Sequence, residues 1–223
     1  IGVAKSYSAL IVNLIVINVY FMMQILDQVL EIAVLAGQEI LDVYENDFGV
    51  DYKGDGSPLT IADRRAHTII QEKLENIVPQ IPVLSEESTP EVFEQRQNWD
   101  RFWLVDPLDG TKEFVKRNGE FTVNIALIKN QKPILGVIYV PDTKVLYYAD
   151  VEKQSAYKCV LKSHTTDFEE ISKNSVAIEP NTLKSKIIKV VGSRSHRSIE
   201  TEDFINSLQS DYEKVEIVSK GSS

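Results

Sequence analysis

Cysteine is nearly absent: the 223 residues include only Cys159. That excludes an intramolecular disulfide and any zinc cluster built on cysteines, and it fits a reducing compartment. The thiol lies in Ala-Tyr-Lys-Cys-Val-Leu, which reads as strand with nothing nearby to activate a thiolate, so Cys159 is expected to pack. Basic residues are in deficit: 24 Lys and Arg stand against 33 Asp and Glu, a formal net charge of -9. A broad nucleic-acid surface needs a basic stripe to neutralise phosphates, so no nucleic-acid partner is expected. A small phosphate ligand stays open, because a bound divalent cation reverses the local sign of an acidic pocket. Methionine occurs only as Met22 and Met23. The apolar run from Ala9 to Phe21, broken by Asn13 and Asn18, is shorter than the roughly 20 residues a spanning helix needs. Lys5 precedes it as in a signal peptide, but no small-residue cleavage site follows. Residues 1–21 read either as extraneous sequence upstream of a natural start at Met22, or as a membrane-associating segment giving peripheral membrane contact. No internal repeat and no low-complexity tract is present.

What is present suffices for a core: 43% of residues are apolar and 26% charged, ordinary values for a globular protein. From Gln24 to Glu45 the positions Ile25, Val29, Ile32, Ala33, Ala36, Ile40, Leu41 and Tyr44 recur at helical spacing. Asn46 to Pro58 is a break containing a short candidate strand, Val50 to Lys53. A second helix is expected from Ile61 to Asn76 with Thr60 as its N-cap. Val83-Leu84 reads as a strand end. Phe102 to Val105 reads as a buried strand ending in a turn at Asp106-Pro107. Thr122 to Lys129, Ile134 to Val140 and Val145 to Ala149 follow as an antiparallel meander. Ser163 to Ser185 is polar and reads as loop, a boundary between a first domain (22–182) and a second (183–223). The second reads strand, helix, strand over Ile187–Val191, Ser198–Leu208 and Lys214–Ser219, a layered α/β pattern.

Three acidic clusters stand at element ends. Asp106-Pro107-Leu108-Asp109-Gly110-Thr111 places two carboxylates three apart around a stiff proline and a permissive glycine. Hard divalent cations take oxygen ligands, and magnesium uses a few carboxylates with waters and substrate phosphate completing its shell. The Leu108 carbonyl can add an oxygen. The competing reading is an Asp-rich surface turn. Glu86-Glu87 follows Val83-Leu84; paired glutamates otherwise form a solvated face. Asp63 completes a capping-box pattern with Thr60. The helix dipole should keep it ionised there, and it can also orient Thr111 or a water as a base.

In this order and context, Asp63, Glu86-Glu87 and Asp106 to Thr111 resemble the inositol monophosphatase superfamily. Lys112-Glu113-Phe114 and Gly192-Ser193-Arg194-Ser195-His196 resemble its bisphosphate nucleotidase branch, over essentially all of Met22 to Ser223. The resemblance implies an α/β fold, the layered αβαβα sandwich of the sugar-phosphatase type. It implies that two or three Mg2+ ions are held by Glu86, Asp106, Asp109 and the Leu108 carbonyl. Asp63 and Thr111 would activate water, with Glu87 as a supporting acid. Gly110 and Thr111 would present N–H groups to phosphate, and His196 would lie near the nucleotide. Lys53 stands where the family often has a lysine near a metal. His67 and His164 are read as structural or surface residues.

The implied reaction is hydrolysis of the 3'-phosphate of adenosine 3',5'-bisphosphate, with its 5'-phosphosulfate analogue as a further candidate, in the cytoplasm or peripherally on its membrane face. Two alternatives stay open: an inositol-phosphate phosphatase on the same scaffold, or a non-catalytic metal- or phosphate-binding fragment. The family's last metal ligand, an aspartate in a Trp-Asp pair, is expected downstream of Ser223. The second domain is therefore expected to be incomplete and the 223-residue chain a poor catalyst.

Overall fold

The computed structural model describes residues 24–46, 49–52, 54, 58–88, 93–164, 167–180, 185–193 and 198–220. Residues 1–21, Lys53, His196 and the expected domain boundary at 182/183 lie outside the described residues.

Helix α1 covers residues 24–44. Of the positions with helical spacing, Ile25, Val29, Ile32, Ala33, Ala36 and Ile40 are buried, and Leu41 and Tyr44 are partly buried against the same core. Gly37 shares that face because the Tyr139 ring crosses it: a Cβ at Gly37 would lie 2.5 Å from that ring. Strands β1 (Val50–Tyr52) and β2 (Pro58–Thr60) form a small antiparallel pair. β2 runs directly into α2 (Ile61–Ile77), which buries Ala62, Asp63, Ala66, Ile70 and Leu74.

Next come β3 (Val83–Ser85), a short helix α3 (Phe93–Arg96), β4 (Arg101–Asp109) and a short helix α4 (Thr111–Val115). The meander is β5 (Thr122–Lys129), β6 (Lys132–Val140), β7 (Val145–Asp150) and β8 (Ser155–Val160). Asn130 and Gln131 both have positive φ (49° and 62°), as the tight β5–β6 hairpin needs. Helix α5 (Phe168–Asn174) and β9 (Val176–Ala177) follow. The seven strands are ordered β3-β4-β5-β6-β7-β8-β9. β3 pairs with β4 in parallel, and every other neighbour is antiparallel. Trp103, Val105, Val123, Ile125, Leu127 and Val137 point from one sheet face into a single core with α1 and α2. Cys159 is buried there, and burial pushes its thiol pKa up.

Strand β10 (Ile187–Ser193), helix α6 (Ile199–Ser207), a 3₁₀ turn (Leu208–Ser210) and β11 (Lys214–Lys220) complete the chain, with β10 and β11 parallel. The result is a mixed α/β fold of helices against a multi-strand sheet. Among the described residues no helix is long and apolar enough to cross a membrane.

Two expectations need correction. The segment from Ser163 to Ser185 contains a helix and a strand. Asp167 caps α5 by accepting from the amides of Glu169 and Glu170, and buried Ile171 with partly buried Phe168 anchors it on the core; so few apolar anchors make the stretch look like loop. The second correction concerns Asp106-Pro107, which does not end the strand. β4 continues to Asp109 through a bulge: Asp106 faces Asn124 and Asp109 faces Thr122, so three steps on β4 match two on β5. Proline has no N–H to give a ladder, and a bulge is where a strand tolerates it.

Candidate active site

The β4 bulge creates the acidic cluster. Residues three apart on a regular strand point to opposite faces. One extra residue cancels that alternation, so Asp106 and Asp109 interact. Glu86 arrives from the neighbouring strand: its amide donates to the Val105 carbonyl at 3.1 Å, which sets it beside Asp106. Burial first, then the charges of Glu86 and Asp109, push the Asp106 carboxyl up to about 7, partly offset by the Leu108 N–H. Its Oδ1 is buried and has no hydrogen-bond partner among the described residues.

A second cluster adjoins the first. Asp63 is 1% exposed. Its Oδ2 accepts from the Thr60 amide and hydroxyl, both at 2.7 Å, which completes the expected capping box. Its Oδ1 faces the Thr111 hydroxyl at 3.0 Å, and that hydroxyl also lies 3.2 Å from the Leu108 carbonyl. Desolvation raises the Asp63 pKa, against the Thr60 and Thr111 hydrogen bonds, and the Glu87 charge raises it further. Burial thus outweighs the helix-end stabilisation that the sequence suggests. Gly110 adopts φ 92° as the N-cap of α4, a left-handed conformation that glycine enters freely. Gly110 thereby turns the chain from β4 so that Thr111 reaches Asp63.

The structure thus brings together Asp63, Glu86, Glu87, Asp106, Leu108, Asp109, Gly110 and Thr111. Among the described residues no three His, Cys, Asp or Glu side chains form a metal-binding group by themselves. Magnesium ordinarily takes one or two carboxylates and completes its shell with waters and phosphate. An orphaned carboxylate oxygen beside two more carboxylates fits that donor set, and it does not fit a closed all-protein cage. A cavity of about 620 Å³ opens beside Glu86 and Asp106 over Leu104, Asn124, Ala126 and Ile138.

Of Lys112-Glu113-Phe114, only Lys112 is exposed. Phe114 packs against Tyr44 and Phe121, with ring centroids at 5.1 and 5.3 Å. Glu113, 2% exposed, accepts from Lys116 at 3.1 Å and from Asn118. Two of these three branch-marking residues therefore build the turn behind the site. Sequence reasoning missed Asn124, directly opposite Asp106, and the contact between His67 and Ser85. The polar alternation Thr122-Val-Asn124-Ile was the available signal for Asn124.

Residues 22–223 match the model of the inositol monophosphatase family. Over 185 residues the chain is 45% identical to the 3'(2'),5'-bisphosphate nucleotidase CysQ of Salmonella typhimurium, covering 82% of this chain and 69% of that protein. The crystal structure of CysQ from Bacteroides thetaiotaomicron, a bacterial member of the inositol monophosphatase family, is 43% identical. It covers 91% of this chain and 74% of its own, with a TM-score of 0.74. The Thermotoga maritima IMPase shares the fold at 21% identity and a TM-score of 0.64, over 88% of this chain and 69% of its own.

Proposed function

The chain belongs to the inositol monophosphatase family, and from that premise we propose that it is a magnesium-dependent 3'(2'),5'-bisphosphate nucleotidase. The substrate is a small nucleotide bisphosphate, adenosine 3',5'-bisphosphate, and the reaction releases its 3'-phosphate. The observation that carries this reading is the buried, unpartnered Oδ1 of Asp106 beside Glu86 and Asp109. Such a cluster is destabilised by its own charge until a cation joins it. Glu86, Asp106, Asp109 and the Leu108 carbonyl would hold two or three Mg2+ ions. When bound, the cation neutralises charge on the transferring phosphoryl group and makes water more acidic.

The chain's own residues handle the proton. The Thr111 hydroxyl donates to Asp63 Oδ1, which leaves its lone pairs to accept from a water. That water's proton passes through Thr111 to Asp63, the water oxygen bonds to phosphorus, and the bond from phosphorus to the 3'-oxygen breaks. The departing 3'-oxygen takes up a proton, giving adenosine 5'-phosphate and inorganic phosphate. The raised Asp63 pKa suits a base, because proton transfer is most effective when the pKa lies near the working pH. Glu87 acts on Asp63 through its charge. The amides of Gly110 and Thr111 would serve as donors to the phosphate oxygens. A single, buried Cys159 suits a cytoplasmic setting.

Two measurements test this reading. The kcat/KM for adenosine 3',5'-bisphosphate should exceed that for inositol monophosphate; the reverse preference would make the protein an inositol-phosphate phosphatase. Asp109→Asn should abolish magnesium-dependent phosphate release with the fold intact by circular dichroism, and unchanged release in that variant would remove the site assignment.

A further inference from the structure

Helix α2 makes a second connection to the acidic cluster, one turn beyond Asp63. His67 stands four residues after Asp63, on the same face of the helix, about 6 Å further along the axis. Its Nδ1 lies 2.9 Å from the Ser85 hydroxyl. Ser85 ends β3, is 6% exposed and immediately precedes Glu86. The same hydroxyl oxygen accepts from the Glu87 amide at 3.4 Å, and the Ser85 carbonyl accepts from the Ser88 amide at 3.2 Å. The hydroxyl has one proton and two lone pairs, so while it accepts from Glu87 it still bonds His67 Nδ1, the ring tautomer deciding which of the two donates. Ser85 is therefore a branch point that ties α2 to the backbone of the Glu86-Glu87 turn.

We propose that His67 is a positioning residue: through Ser85 it holds the Glu86-Glu87 turn in fixed register with the Asp63–Thr111 pair. Packing alone does not require a polar residue at this place, since an aliphatic side chain would fill the gap between α2 and β3. A hydrogen bond adds direction, and direction is what a turn carrying two carboxylates needs. Glu86 is fixed to β4 through the Val105 carbonyl, whereas Asp63 and Thr111 are fixed to α2 and α4. His67–Ser85 is a polar contact between α2 and that turn, so it sets the offset between the water-activating pair and Glu86. The inference rests on the proposed function only in assigning cation binding to Glu86. The register claim itself concerns the metal-free protein.

The test compares His67→Leu, which keeps volume and loses the contact, with His67→Asn, whose amide reaches the place of Nδ1, and with Ser85→Ala. In metal-free protein, amide exchange at Glu87 should accelerate about 10-fold in His67→Leu and Ser85→Ala and return toward wild type in His67→Asn. Mn2+ binding, followed by electron paramagnetic resonance, should weaken by 10- to 100-fold in His67→Leu, the usual effect of losing a residue that orients a ligand, with His67→Asn close to wild type. The double variant His67→Leu, Ser85→Ala should be no worse than Ser85→Ala alone, because the serine substitution already removes the His67 contact along with the Glu87 one. Unchanged Glu87 exchange in His67→Leu would overturn the inference. So would a loss of thermal stability equal in His67→Leu and His67→Asn with Mn2+ affinity unchanged. If the wild-type protein releases no phosphate, the functional proposal fails by itself, while the exchange measurement still decides the role of His67.

Discussion

At the scale of single residues, Asp106 concentrates the physics of the site. Its carboxyl is pushed up to about 7 by burial and by two neighbouring carboxylates, so the folded state binds its proton more tightly than the unfolded chain does. The sign of the pH dependence follows. In metal-free protein this residue costs nothing below its unfolded pKa of about 4, and destabilisation grows as pH rises toward 7. Asp106→Asn should therefore raise the Tm in EDTA at pH 8, by roughly 5 °C for a protein of this size, and should leave it unchanged at pH 4. Added Mg2+ should raise the wild-type Tm and not that of the variant. Scanning calorimetry at the two pH values checks both statements. Asp27, on α1, offers a comparison outside the Glu86–Asp106–Asp109 cluster. Burial pushes its carboxyl to about 6, with Lys153 opposing, so Asp27→Asn should likewise stabilise at pH 8 and not at pH 4, but without changing the response to Mg2+. The carboxylates were legible in the sequence because charge at the end of an apolar strand is unusual. Ser85, His67 and Asn124 were not, since a lone serine, histidine or asparagine has many ordinary uses and only the pairing of elements shows what it touches.

At the scale of elements, the site depends on how α1 and α2 seat against the sheet. Gly37 permits α1 to approach the Tyr139 ring, which is fully buried and held by a 2.8 Å hydrogen bond to His164. The ring cannot swing aside, so Gly37→Ala should destabilise by about 1–3 kcal/mol through overpacking despite alanine's better helix propensity. Urea unfolding with an unchanged m-value is the expected result; a stabilised variant would show that the α1–sheet contact is soft. Periodicity made α1, α2 and the meander legible, because long elements repeat their burial pattern several times. It did not disclose α5 or β9, which bury little and repeat nothing. The continuation of β4 past Pro107 ran against the local rule that proline ends a strand, and the pairing with β5 overrides that rule through the bulge. That override matters chemically, because the bulge brings Asp106 and Asp109 together.

At the scale of the whole molecule, one sheet gathers groups that are far apart in sequence: Asp63 from the cap of α2, Glu86 after β3, Asp106 and Asp109 from β4, Thr111 from α4. The most direct measurement follows phosphate release from adenosine 3',5'-bisphosphate as Mg2+ is added, for wild type and Asp63→Asn, with Mn2+ binding recorded on the same samples. Release should saturate with Mg2+ and stop in EDTA. Asp63→Asn should bind Mn2+ as wild type does yet lose about 10²- to 10⁴-fold in kcat, the range for removing a general base. Release that persists in EDTA, or an Asp63→Asn protein that turns over at the wild-type rate, would contradict this mechanism.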